Sequence, residues 1–444
     1  LVKISDPFTV FLPFALLFGV AFAFLIPPFQ SPDEPNHLLR AYQVSEGVFF
    51  PEKQDQRLGG TLPASLAQVR DSFSYLKMNN QARLDNDLIF RSLHLPLQPE
   101  NRNFLDFPNT AIYAPTAYLP QATAIALLRP LGATPLQMLY AARLANLFVW
   151  AFFVLAALWL MPFLKNTLAA LALLPASLVI AASANADVIT NGLCWWLVAS
   201  FCAGGQKGFK ILAGLIIVCV NKLIALPLVG LFMLNRKPTF QFGVFLSVAL
   251  VAALAWGGFA QKNFITYDNY NPAYRDAQTL NEGVDPARQQ RFIIENPLYF
   301  IEITSKSIVK SLPSMAAHFV GKFGWEKNYL HPIWLALLWL VLAAMLASEE
   351  NPLPWRQRIL AGVIVALYVG MFAVTMYALW CPVGAGEVTN FQGRYFVPIA
   401  PVAALALAGG WLKRFRQRIE WGAILILAMS NVAMMADIWH RYYA

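Results

Sequence analysis

The chain alternates long apolar runs with short clusters of basic residues, and no other feature limits its fold as strongly. Phe8–Ile26, Leu139–Met161, Phe242–Ala260 and Ile359–Leu379 each approach the roughly 20 residues that a helix needs to cross a bilayer. A backbone in hydrocarbon must satisfy its own hydrogen bonds, so such runs predict helices and not open strands. Charged residues make up 13% of the chain, against about 25% in a soluble domain, which excludes a water-exposed globular fold. The sequence therefore predicts an all-α polytopic membrane protein.

A net charge of +9 would suit nucleic acid, but the basic residues fall between apolar spans, as the positive-inside rule requires. The expected partner of this charge is a lipid bilayer, with no nucleic acid. Cys194, Cys202 and Cys219 lie in apolar runs and Cys381 lies near a membrane surface, so no disulfide framework is expected. The first apolar run leads into Pro27-Pro28 with no small-residue cleavage site, and it reads as a retained helix.

Basic clusters fix a threading. Lys413, Arg414, Arg416 and Arg418 anchor one loop in the cytoplasm, and Arg356, Arg358, Arg236, Lys237, Lys207, Lys210, Lys165 and Lys3 join them there. Ile211–Leu234 then has to cross twice as two short helices that turn near Asn221-Lys222 on the outer side. Ile112–Leu128, broken by Pro115 and Pro120, reads as a helix on the outer surface with its tyrosines at the interface. The result is about eleven crossings, with the first residues inside and the last outside. Residues 1–444 form a single membrane domain carrying two large outer segments, Pro27–Gln137 and Gln261–Tyr329. The first segment holds patterns for short juxtamembrane helices at Glu34–Gly47 and Leu62–Leu76.

The polar chemistry gathers on the outer side. After the first span the chain reads Pro27-Pro28-Phe29-Gln30-Ser31-Pro32-Asp33-Glu34-Pro35-Asn36-His37, with Arg40 one turn further on. Asp33 sits where it would cap the helix opened by Glu34 or Pro35, and the same carboxylate could bind a ligand. Asn185 and Asp187 lie between two apolar helices, Lys222 at the tip of the short hairpin, Arg394 just before a span, and Arg143 near the start of the second span. Charges at membrane depth face a cavity or a partner. An internal pair of Arg143 with Asp187 is the plain alternative to function. His318 and His331 share no metal spacing with another His or Cys and are expected to be structural. Trp325 beside Glu326 could hold a sugar face and its hydroxyls, or simply anchor at the interface. P-loop, dinucleotide, zinc and serine-hydrolase motifs are absent from the sequence.

The segments Pro27–Gly47, Tyr113–Gln121, Arg143-Leu144-Ala145-Asn146, Ser183–Asn191, Gly321–Trp325 and Gln392–Pro398 occur in an order that resembles a bacterial family of polytopic membrane proteins. That family is similar to the GT-C superfamily of membrane glycosyltransferases. The resemblance implies a GT-C-like fold with a long first outer loop and an enzyme of the bacterial inner membrane whose site faces the periplasm. It implies transfer of a sugar from a polyprenyl-phosphate donor to a cell-envelope glycan or lipid-linked acceptor. It places the general base at Asp33 or Glu34, and Asp187 in the same cavity. Tyr113, Gln392 and Tyr395 fall in its motifs, and His37, Arg40, Arg143, Asn185, Trp325 and Glu326 join them as cavity residues. No cofactor is required by the sequence. Some relatives hold a divalent metal through acidic motifs, and no second Asp-x-Asp motif is present here.

A carboxylate aimed at a weakly nucleophilic hydroxyl can take its proton as the oxygen attacks the anomeric carbon. Fixed cations would stabilise the leaving phosphate, and Lys222 and Arg394 are the candidates. Asp33 follows Pro32, which would hold it at the end of an extended strand, whereas Glu34 could pair with His37 or Arg40. A flippase for a lipid-linked saccharide would need polar residues at mid-span, which are few. A non-catalytic assembly subunit would leave Asp33, Glu34 and Arg394 without a task. A polymer ligase of the outer leaflet is close in chemistry.

Overall fold

The structure, a computed structural model, describes residues 7–204, 208–234, 240–276, 280–325 and 328–444. Lys3, Lys207, Arg236, Lys237 and Glu326 lie outside the described residues. Five helices among the described residues are long and apolar enough to cross a bilayer: Pro7–Leu25, Pro135–Leu160, Phe240–Asn263, Trp355–Trp380 and Lys413–Tyr442. Asp187–Cys202, Lys210–Asn221, Leu223–Leu234 and Pro332–Ser348 are shorter apolar helices. The chain is a helical membrane protein.

The short hairpin turns at Lys222, as its sequence predicts. Its second arm, Leu223–Leu234, is a 3-10 helix with Pro227 inside it. At about 2.0 Å per residue, against about 1.5 Å in an α-helix, that winding carries 12 residues roughly 24 Å. The expected third span is broken into Lys165–Ala172 and Pro175–Ala181, because a proline excludes helical backbone in the residue before it. Asn431 donates a hydrogen bond to the Leu173 carbonyl freed by that break. Ala400–Leu407 is equally short, and Arg358 donates to its terminal carbonyls at Ala406 and Ala408.

Three expectations need correction. The outer segments are not wholly helical, because the first contains an antiparallel sheet of β1 (Glu52–Gln54), β2 (Arg57–Pro63) and β3 (Arg102–Asp106) in the order β1-β2-β3. The β1–β2 turn uses Asp55 and Gln56, both with positive φ (49° and 60°), in place of the glycine that would have announced it. The second outer segment is not a polar loop. It contains the 25-residue helix Pro297–Gly321, whose Glu302, Lys306 and Lys310 set it apart from the apolar helices. Of the tyrosines of Ile112–Leu128, Tyr113 is half-buried and Tyr118 does not sit at an interface. Tyr118 is fully buried, because Leu119–Leu128 packs on both Glu34–Ser45 and Pro135–Leu160.

Candidate functional site

The segment after the first helix makes two left-handed residues, Phe29 (φ 64°) and Asp33 (φ 65°), before the helix Glu34–Ser45 begins. Asp33 occupies the N-cap position, yet its side chain makes no cap hydrogen bond. The expected cap and the expected extended strand are both absent. The left-handed turn instead sends two adjacent carboxylates to different partners.

Glu34 is fully buried. Its carboxylate accepts from the backbone N–H groups of Phe29 and Ala184 and from Arg143 Nε and Nη2, at 2.9 and 2.6 Å. Arg143 is also fully buried, and it donates further to the carbonyls of Ala23, Ile26 and Pro27. All five N–H donors of its guanidinium are thus used. Three positions further along the same helix, Asn146 donates to the carbonyls of Ser183 and Asn185. Arg143 and Asn146 therefore tie the first helix, its following turn and the Ser183–Ala186 turn to Pro135–Leu160. Glu34 is part of this frame and has no free face for an acceptor hydroxyl. The sequence alternatives for it, His37 and Arg40, are not its partners, and Arg143 does not pair with Asp187.

Asp33 is about a third exposed, and its Oδ2 lies 3.0 Å from Arg394 Nη2. Arg394 stands on the 3-10 turn Gly393–Phe396. That turn can approach the helix Pro297–Gly321 only because residue 393 is glycine, since a Cβ there would lie 2.1 Å from the Met315 carbonyl oxygen. Asp187 forms a second ion pair, with Lys222 at 2.5 Å. The Tyr395 ring joins the two pairs, with Arg394 Cζ 5.0 Å and Lys222 Nζ 5.2 Å from its centre. Arg394 Nη2 also donates to the Tyr395 hydroxyl at 3.1 Å.

His37 lies within reach of both pairs. Its Nδ1 is 2.8 Å from the Tyr118 hydroxyl, and its ring is tilted against Tyr113 and Tyr118. Burial pushes its pKa down to about 4 and outweighs the opposing pull of Asp33 and Asp187, so the ring is neutral near pH 7. Burial likewise raises the phenols of Tyr113 and Tyr118, which remain hydrogen-bond donors.

The other expected site residues divide between support and lining. Arg40 is fully buried and holds Gln43 and the carbonyls of Phe49 and Tyr113, a structural task. Asn185 accepts from the Asp187 N–H at the start of Asp187–Cys202. Gln392 donates to Asn390. Trp325 donates to the Phe29 carbonyl, and Lys77 Nζ sits 4.3 Å above its ring.

Two cavities meet this cluster. An outer groove of about 420 Å³ is lined by Asp33, Lys77, Tyr274, Asp276 and Trp325, among others. A smaller cavity of about 40 Å³ is lined by Pro32, Asn185, His318, Lys322, Gln392 and Arg394, with an apolar wall from Ala176, Val179 and Ile180. Asp33 thus lines one cavity and its ion-pair partner lines the other. A third cleft, about 940 Å³, lies at the opposite end of the first helix beside Pro7, among the paired charges of Glu349, Glu350, Lys413, Arg416 and Glu420. Among the described residues no group of three or more His, Cys, Asp or Glu could hold a metal ion.

Lys77 and Lys322 were not singled out from the sequence. Each is one basic residue within two positions of an aromatic in an outer segment, a signal too common to act on before the cavities are seen. A family described as Predicted membrane protein (DUF2142) matches residues 16–403. No curated protein and no solved structure matches the chain.

Proposed function

The chain belongs to the DUF2142 family of predicted membrane proteins, and from that premise we propose that it is a GT-C-type glycosyltransferase of the bacterial inner membrane. It moves a sugar from a polyprenyl-phosphate donor to a cell-envelope glycan or lipid-linked acceptor on the outer face. One observation carries the reading: Asp33, the carboxylate left accessible beside the buried Glu34, lines the outer groove while its partner Arg394 lines the smaller cavity. An acceptor hydroxyl in the groove and a phosphate on the other side would place the reacting carbon between them.

Asp33 is the general base. Its carboxylate takes the proton of the acceptor hydroxyl as that oxygen forms its bond to the anomeric carbon. The bond from that carbon to the phosphate oxygen breaks, and the electron pair leaves with the lipid phosphate. One displacement inverts the anomeric centre. Arg394 meets the growing negative charge through a planar fork that a lysine lacks. Lys222, first read as a second phosphate ligand, is already neutralised by Asp187, so its task is to fix Tyr395 beside Arg394. A reading of about eleven crossings, which counts the broken third span, the 3-10 arm and Ala400–Leu407, would put this site on the outer face by the positive-inside rule. The cleft beside Pro7, whose lining includes Lys165, Lys413, Arg414 and Arg416, lies at the opposite end of the first helix, which fits that orientation.

The test uses the purified full chain in lipid nanodiscs with isotope-labelled polyprenyl-phosphate sugars and envelope glycan acceptors. The expected result is label in the acceptor, with inverted configuration, and free polyprenyl phosphate. A donor that stays intact while being moved between leaflets of a vesicle would assign transport and overturn the reading.

A further inference from the structure

The smaller cavity is lined by three nitrogen-bearing side chains, His318, Lys322 and Arg394, and among the described residues not all of their donors are used. Arg394 gives Asp33 only Nη2, and its buried Nε has no hydrogen-bond partner. His318 has its Nε2 2.8 Å from the Tyr329 hydroxyl, while its buried Nδ1 has no partner. With Tyr329 donating to Nε2, the neutral ring carries its proton on Nδ1, which becomes a donor. Lys322, half-buried on the same wall, forms no ion pair among the described residues. Unused buried donors are rare in native proteins because each one costs its full desolvation. Two such atoms, on side chains that line one cavity beside the Lys322 ammonium, point to an occupant that accepts.

The surroundings narrow that occupant. Burial and the neighbouring Arg394 lower the Lys322 ammonium to about 8, a cost that an anion between the two would reverse. Asp33, which lines the outer groove, is already held by Arg394, and among the described residues no carboxylate lines this cavity. The volume of about 40 Å³ leaves room for roughly three water-sized groups, which matches the exposed oxygens of a phosphate. The opposite wall is apolar, built by Ala176, Val179 and Ile180 of Pro175–Ala181, one half of the broken third span.

We propose that His318, Lys322 and Arg394 form a binding site for a phosphate oxyanion whose ester chain leaves along the apolar wall of Pro175–Ala181. The site rests on the glycosyltransferase reading for the identity of its lipid, but not for the anion itself. It moves the phosphate away from Lys222, which is occupied by Asp187, to Lys322, which forms no ion pair among the described residues.

Equilibrium binding to the purified full chain in nanodiscs tests it without any turnover. The probes are a polyprenyl monophosphate, the matching uncharged polyprenol, and inorganic phosphate. Lys322→Gln and Arg394→Gln should each weaken polyprenyl phosphate by at least about tenfold, the scale of one charge-assisted hydrogen bond. Lys322→Arg should restore most of that loss. Lys310→Gln, on an exposed turn of Pro297–Gly321 where Lys310 pairs with Glu387, should bind like wild type. Unchanged melting temperatures exclude misfolding as the cause. Tight binding of the lipid with weak binding of inorganic phosphate identifies a lipid source, and equal binding of both identifies free phosphate; each supports the anion site. Wild-type affinity for every probe in both Lys322→Gln and Arg394→Gln overturns it, as does polyprenol binding as tightly as its phosphate. A chain that binds phosphate through Lys322 but transfers no sugar would remove the transferase reading and leave this site standing.

Discussion

Asp33 and Glu34 are adjacent in the chain, yet Asp33 ends 3.0 Å from Arg394, 361 positions away, while Glu34 ends 2.6 Å from Arg143, 109 positions away. The left-handed backbone at Asp33 creates this division. One carboxylate becomes part of the frame and the other stays at the cavity.

The frame carboxylate makes the first prediction. Removing one partner of a fully buried pair typically costs about 3–5 kcal/mol, because the other charge is left alone. Glu34→Gln and Arg143→Met should each lower stability on that scale in detergent unfolding experiments, and the double variant Glu34→Gln/Arg143→Met should recover part of it. A Glu34→Gln protein that melts like wild type but no longer turns over would instead make Glu34 the working carboxylate.

The second pair can be measured in the same way. Asp187→Asn, Lys222→Gln and the double variant form a cycle, and contact at 2.5 Å predicts a coupling of about 0.5–3 kcal/mol. A coupling indistinguishable from zero would mean that the two groups are not partners.

His37 gives a pH signature. Its pKa is about 4 in the folded chain and about 6.5 when unfolded. Above pH 6.5 neither state binds the proton. Between pH 6.5 and 4 only the unfolded state does, so stability falls as pH falls, by about 1.4 kcal/mol per unit. His37→Gln should flatten this part of the stability curve. An identical slope in the variant would place the effect elsewhere.

Orientation is open to single-cysteine labelling with a membrane-impermeant reagent. Cysteines placed at Glu52, Glu282 and Gly386 should react from outside, and those at Arg356 and Arg416 should not. External labelling at Arg416 would invert the threading.

Much of the class and part of the site were legible in the sequence. Long apolar runs and basic clusters carry the membrane class, and Lys222 falls at the hairpin tip where charge placed it. Pairing was not legible. Arg143 faced a choice of carboxylates, and only the packing of Pro135–Leu160 against the turn after the first helix selects Glu34 over Asp187. The sheet was hidden because its Asp55-Gln56 turn reaches positive φ without glycine. Asp33 looked like a helix cap because the residue type is right, but cap geometry depends on a φ that residue type does not set. Lys322 was obscure for a related reason: what distinguishes it is its place on the wall of a cavity beside Arg394, which exists only in three dimensions.

If Asp33 is the general base, turnover by Asp33→Asn reports it. Asparagine tolerates the left-handed backbone at this position and still offers an oxygen to Arg394, so the fold and donor binding should persist. Loss of a general base should lower kcat by about 10²–10⁴-fold. Single-turnover transfer from a bound polyprenyl-phosphate sugar, with donor affinity measured on the same preparation, reads both quantities. The expected result is wild-type donor affinity with transfer reduced on that scale. A folded, donor-binding Asp33→Asn protein that transfers sugar at the wild-type rate would contradict it.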